Sequence, residues 1–265
     1  MMLELYNAPG SLCSQKVKLV LAEKHLGWKS HLINLLTFEN LQTNYIRLNP
    51  KGVVPTLIHE GRVITDSAVI VQYLDEQFPH PRLTLAEPAL QEKMNGWIDL
   101  QNRFPMREIM YGNYRGIEGF VLRRSVQIKE KLLPQLMQTN PELKEEYLAK
   151  LQDVKQWNST IQNQKTIFNI NAKIELMLDR LEEQLNLTDW LCGETYSLAD
   201  SMWTAVLNRL DELKFSNLWL DNIRPAVRAY VNRVKSRPSF NIAIRGDEMP
   251  LPMLYAGLSR IILGF

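Results

Sequence analysis

A proline-rich break divides this sequence into two parts with different periodicities. Phe78-Pro79-His80-Pro81 through Pro88 interrupts both the alternation of short strands and the three-to-four spacing of helices. Before it, short apolar runs alternate with amphipathic stretches, which predicts an α/β unit over residues 1–80. After it, apolar residues recur only at helical spacing, which predicts an all-α unit over residues 89–265.

The first unit reads as βαβαββα. Leu3 to Tyr6 is a strand, Ala8-Pro9-Gly10 a turn, and Ser14 to Leu26 a helix that Gly27 stops. Trp28 to Leu35 is a second strand, and Leu41 to Leu48 a weaker helix. Thr56–His59 and Arg62–Thr65 flank Glu60-Gly61, a two-residue hairpin signal, and Ser67 to Phe78 closes the unit as a helix. In the second unit a helix over Leu90 to Tyr111 carries Trp97, Ile98, Phe104, Met106 and Tyr111, a set suited either to an apolar site or to core. The polar stretch from Gln138 to Lys173 is expected to hold one solvent-exposed helix and a long loop. Stripes such as Ile174, Met177, Leu178, Leu181 and Leu185 mark the helices that follow.

Composition excludes several classes. The net charge of +2 is too small to imply a nucleic-acid partner. Basic residues do gather between Arg103 and Lys131, and a solvated helical face is the expectation there. Cys13 and Cys192 stand far apart and the four histidines lack ligand spacing, so neither a disulfide framework nor a metal site is expected. No charged segment followed by an apolar core opens the sequence, and a cytoplasmic setting is expected.

Three segments carry chemistry. Val54-Pro55 precedes a strand, where a cis proline would turn the preceding backbone outward to pair with an extended peptide. Asp66-Ser67 stands where a strand gives way to a helix. Free N–H groups there can hold an α-carboxylate while Asp66 pairs with an α-ammonium, and the same residues also suit a plain helix cap. Ser11 and Cys13 stand at the start of the first helix. Ser11 can donate a hydrogen bond to a bound thiolate, whereas Cys13 can act as a nucleophile, form a mixed disulfide, or be an inert packed thiol. Tyr6 competes as a thiol-activating hydroxyl, but its place inside a strand favours a core role. Farther on, Ser197 and Asp200 have the spacing of a capping box, a structural device.

With Arg237-Pro238-Ser239 added, these segments make the chain resemble the glutathione transferase superfamily over essentially its full length. The resemblance implies a thioredoxin-like N-terminal domain, a helical domain holding the electrophile pocket, glutathione as co-substrate, and a homodimer. Ser11 falls six residues before Val17, the place of the activating serine in serine-type members. The Ser11-Leu12-Cys13-Ser14 segment and the polar insertion resemble the tetrachlorohydroquinone-dehalogenase-like and ganglioside-induced differentiation-associated branches, some of which use a reactive cysteine there. By this analogy glutathione lies along Val54-Pro55 with its γ-glutamyl end at Asp66-Ser67, and Lys51 and Gln42 are candidates for its glycine carboxylate. Ser11 is favoured over Cys13 as the working residue. One departure is Ser201, where the family usually has a large apolar residue. The function expected is attack of the glutathione thiol on a hydrophobic electrophile. The alternatives are a cysteine-type thiol transferase or reductive dehalogenase, and a non-enzymatic binding or membrane-associated protein. The apolar tail from Met249 to Phe265 holds Arg260, Pro250 and Pro252 and is too short to span a bilayer, so it is expected over the substrate cleft or on a membrane surface, with the cleft favoured.

Overall fold

Four strands pair in the order β2-β1-β3-β4 in the computed structural model, which describes residues 2–263. Strand β1 (Leu3–Asn7) runs parallel to β2 (Trp28–Leu32) and antiparallel to β3 (Thr56–His59), which forms a hairpin with β4 (Arg62–Thr65). Helix α1 (Leu12–Glu23) is the crossover between the parallel strands, α2 (Thr43–Leu48) leads toward β3, and α3 (Ser67–Gln77) follows β4. Glu60 and Gly61 both take positive φ, +51° and +78°, which is the backbone that a tight two-residue hairpin needs.

Several elements differ from the sequence expectation for local reasons. Helix α1 starts at Leu12, two residues early, because Ser11 rather than a later residue is its N-cap. Strand β2 stops at Leu32. Beyond it, Asn34 folds the chain into a turn, its Oδ1 accepting from the Leu36 N–H at 3.0 Å, and this releases Leu35 and Leu36 from the sheet. The segment before α2 is a 3-10 turn over Glu39–Leu41.

The helical part begins with α4 (Pro88–Arg103) and α5 (Met106–Asn113), not the single helix expected over Leu90 to Tyr111. Pro105 causes the break: it lacks an N–H and pushes Phe104 into extended backbone, φ −71° and ψ 128°. Helix α6 (Gly116–Thr139) packs on α7 (Lys144–Gln162), and α8 (Gln164–Leu185) follows after a single residue. The long loop expected between Gln138 and Lys173 is therefore absent. Tyr147, Leu151, Val154, Trp157 and Ile161 are buried along one face of α7, a helical stripe set among polar residues.

Helix α9 (Leu198–Glu212) is the central buried helix, sheathed by α1, α4 and α10 (Pro225–Ser236). Trp203 at its middle is fully buried, its Nε1 donating to the Trp97 carbonyl at 3.1 Å. Each fully buried Leu or Val on this helix contributes about 1.5–3 kcal/mol of transfer free energy. The capping box is present: Asp200 Oδ2 accepts from the Ser197 N–H at 2.9 Å and from its Oγ at 2.8 Å. A short turn, α11 (Pro238–Phe240), leads through Asn241–Arg245 toward the last helix, α12 (Leu251–Leu263). Arg237 grips Glu23 through two 2.6 Å bonds, tying the end of α1 to the helical part. No helix among the described residues is long and apolar enough to cross a membrane. Gly264 and Phe265, the end of the tail considered above, lie outside the described residues.

Candidate active site

A cavity of about 1200 Å³ opens between the sheet-bearing part and the helical part. Its floor comes from two helix starts. Ser11, Cys13 and Lys16 reach it from α1, and Asp66 and Ser67 from the start of α3. Four sequence candidates, Ser11, Cys13, Asp66 and Ser67, are thereby brought together although up to 56 positions separate them in the chain.

The Ser11 loop is held on both sides. Gly10, with φ +70°, donates its N–H to Asp247 Oδ2 at 3.0 Å, while its carbonyl accepts from Arg209 Nη2 at 2.6 Å. Lys18 Nζ completes the arrangement with a 2.5 Å ion pair to Asp247. Ser11 Oγ accepts from the Ser14 N–H at 3.4 Å and so caps α1. A hydroxyl has one proton and two lone pairs, so this cap leaves its O–H free to donate into the cavity. Cys13, in the first turn, is half-buried and lines the same floor.

Asp66 takes φ +75° and ψ 122°, a backbone that non-glycine residues adopt at a cost of about 1–3 kcal/mol. Its Oδ1 accepts from the Ala68 N–H at 2.9 Å, so the capping role is present. Lys16 stands one turn below Cys13 and is almost wholly buried. Burial lowers its ammonium pKa below the usual value, and the charges of Cys13 and Asp66 oppose the shift. The sequence reading missed Lys16, although the i, i+3 relation to Cys13 put both on one helix face.

The Val54–Pro55 bond is cis. Val54 precedes the first ladder pairs of Thr56, so its main-chain N–H and C=O lie outside the sheet pairing. Tyr45 Oη and Asn49 Nδ2 brace this turn, each donating to the Val53 carbonyl at 2.8 Å. Val54 packs with Ala8 and Tyr45 in a small cluster that also includes Leu35, a cavity residue. Val54 and Pro55 themselves are buried beside the cavity rather than lining it, and Lys51 and Gln42 are exposed outside its lining. Tyr6 stacks on His31 with ring centroids 4.4 Å apart and does not reach the cavity, which leaves it a core residue.

The upper walls are helical. Phe104, Met106 and Tyr111 line them after the break at Pro105, whereas Ile98 is core and Trp97 packs edge-on against Trp203. The basic stretch forms the expected solvated face in part, with Arg103, Arg107, Arg115 and Lys131 exposed. Arg103, at the end of α4, and Arg107 and Lys129, on α5 and α6, also line the cavity. Met249, Leu254 and Leu258 close the top, so the tail covers the cleft, and Gly257 of α12 sits against Leu36. Leu251, Tyr255 and Ile262 remain exposed on its outer side.

Comparison with known proteins follows the same division. The glutathione S-transferase N-terminal domain family matches residues 5–82, and the glutathione S-transferase C-terminal domain family matches residues 160–238. The tetrachloro-p-hydroquinone reductive dehalogenase of Sphingobium chlorophenolicum is 30% identical, the match covering 90% of this chain and 94% of that protein. The chain belongs to the glutathione transferase superfamily. The human ganglioside-induced differentiation-associated protein 1-like 1 is 26% identical, over 92% of this chain and 74% of that protein. Among solved structures, the beta-etherase LigF from Sphingobium sp. strain SYK-6 superposes with a TM-score of 0.69 at 25% identity, covering 92% of this chain and 98% of that one. As a member of this superfamily the protein takes glutathione as co-substrate.

Proposed function

We propose that the protein is a glutathione transferase that adds the glutathione thiolate to a hydrophobic electrophile held in the 1200 Å³ cavity. The observation that carries this reading is continuity: one cavity has the Ser11–Asp66–Ser67 floor at one end and the Phe104–Met106–Tyr111 wall at the other. In this reading the γ-glutamyl end of glutathione sits at Asp66 and Ser67, where the start of α3 favours its carboxylate. Its backbone lies along the outward groups of Val54, and Lys51 and Gln42 take the glycine carboxylate by analogy. Ser11 donates its O–H to the sulfur, which stabilises the thiolate over the thiol. Sulfur then bonds to the electrophilic carbon and the leaving group departs with the electron pair of its bond. The protein is expected to work as a homodimer in the cytoplasm.

Turnover of a chlorodinitrobenzene separates the two sulfur-site residues. Ser11→Ala is expected to lower kcat at least tenfold, and Cys13→Ser to leave it within about threefold. A second reading rests on the position of Cys13 in the same floor. There its thiolate exchanges with a glutathione-bearing sulfur to give a mixed disulfide that a second glutathione resolves. Intact-mass measurement during turnover distinguishes them: glutathionylated Cys13 accumulating in the wild type, with loss of turnover in Cys13→Ser, sinks the Ser11 assignment.

A further inference from the structure

Lys129 on α6 is a half-buried cation that the chemistry above does not use. Its Nζ lies 5.8 Å from the centre of the Phe38 ring and 5.7 Å from that of Trp157, and its side chain lines the cavity. Among the described residues it has no hydrogen bond and no ion pair, only those two rings. The nearby carboxylates are engaged elsewhere. Asp153 accepts from Arg107 Nη1 at 3.0 and 3.2 Å and lies 3.9 Å from Lys150, Glu108 lies 3.5 Å from Arg107, and Glu130 accepts from Asn158. The surroundings of this cation are aromatic: Tyr111, in the cavity wall, meets the buried Trp157 edge-on at 4.3 Å, and Arg107 lies 4.8 Å from the centre of the same indole.

An unpaired ammonium in an apolar wall is costly unless something brings it a counter-charge. Asp153 acts on it electrostatically, but among the described residues no carboxylate forms an ion pair or hydrogen bond with it. We infer that the counter-charge comes from the substrate, and that this end of the cavity selects aromatic electrophiles carrying a carboxylate, with Lys129 binding the carboxylate and Tyr111, which lines the cavity, flanking the ring. The inference deepens the transferase reading by naming the substrate class. The protonation of Lys129 accords with it: burial, helped by the positive charges of Lys150 and Arg107 and opposed by Asp153, brings its pKa down to about 7. The other charged or titratable groups on these elements are Glu108 and Tyr111 of α5, Glu118, Arg123, Arg124, Glu130 and Lys131 of α6, Lys144, Glu145, Glu146, Tyr147 and Lys155 of α7, and Tyr255 and Arg260 of α12. A bound carboxylate stabilises the ammonium and draws a proton from solvent at alkaline pH.

Calorimetric titration of meta-nitrobenzoate and its methyl ester into the full chain, without glutathione, tests this apart from any catalysis. In wild type at about pH 8 the acid is expected to bind with uptake of nearly one proton, measured in buffers of different ionisation enthalpy, and the ester with none. Lys129→Met is expected to weaken the acid at least tenfold while the ester stays within about twofold. Lys129→Arg is expected to keep the acid's affinity but lose the proton uptake, since guanidinium stays charged. If the wild-type acid binds without proton uptake or fails to bind, or if acid and ester weaken together in Lys129→Met, the inference is overturned. A protein that conjugates no electrophile can still pass this test, and an active transferase can still fail it.

Discussion

Ser11 serves two purposes with one oxygen. Its lone pair caps α1, and in the proposed reading its proton is donated into the cavity it lines, so Ser11→Ala removes both a cap and a donor. The cap alone is worth about 1 kcal/mol, small enough that the variant stays folded and any loss of turnover reflects the missing donor. Lys129 gives a prediction of opposite sign. Its folded pKa, about 7, lies below the ordinary 10.5, so the unfolded chain binds more protons between those values. Stability therefore rises with pH across that window and is lowest below it. Lys129→Met is expected to be more stable than wild type to urea below about pH 7, with the advantage fading as pH climbs toward 10.5. A stability difference that is flat with pH contradicts the assignment. Ser11, Cys13, Asp66 and Ser67 were legible because each stands at a strand-to-helix junction, which the local sequence marks. Lys16 had a local signal that was overlooked. Arg107, Lys129 and Arg209 had none: each faces the cavity only because helices distant in sequence pack there.

At the scale of elements, α9 depends on one carboxylate. Asp200 accepts from the Ser197 N–H and Oγ, from the Leu191 N–H at 3.0 Å and from Tyr230 Oη at 2.8 Å. Asp200→Ala strands these buried donors, and a loss of about 3–5 kcal/mol is expected in denaturant titration. A loss under about 1 kcal/mol, no more than an exposed cap gives, contradicts this account of the helix. The box was legible because it is a four-residue local pattern, Ser197 to Asp200. The hairpin strands were legible for the same reason, since Glu60-Gly61 fixes the turn and the turn fixes the register. The α4–α5 break was also written locally, in Pro105, yet the apolar periodicity running through it concealed it. Between Gln138 and Lys173 a helix was expected but its burial was not, because the apolar stripe of α7 is diluted by Asn, Gln and Lys on the outer face, and the same composition made the rest of the segment resemble a loop.

Across the whole molecule, the helical part both builds the cavity and fixes the loop that enters it. Arg209 and Asp247 hold the two sides of the Gly10 peptide from positions 199 and 237 residues away. No sequence window shows such a contact. Helix α12 closes the cavity, and the close approach of its backbone to Leu36 needs Gly257: a Cβ there would lie 2.6 Å from Leu36 Cβ. Gly257→Leu is expected to displace α12 and expose the apolar walls, seen as at least a severalfold rise in binding of a hydrophobic dye such as anilinonaphthalene sulfonate. Unchanged dye binding contradicts the closure. Co-sedimentation with liposomes checks the outward residues Leu251, Tyr255 and Ile262: the cleft role predicts that wild type stays in the supernatant, and pelleting lost on deletion of the tail supports a membrane surface instead.

The central claim is that Ser11 stabilises a glutathione thiolate in this cavity. The most direct measurement is an ultraviolet difference titration of the thiolate in the glutathione complex, for wild type and Ser11→Ala, each in a Cys13→Ser background to remove the protein's own competing signal. The account predicts that glutathione bound to the Ser11 protein ionises at least one pH unit below the ordinary thiol value of about 8.5, and that Ser11→Ala returns it to that value. Ionisation at the same pH with and without the Ser11 hydroxyl would contradict it.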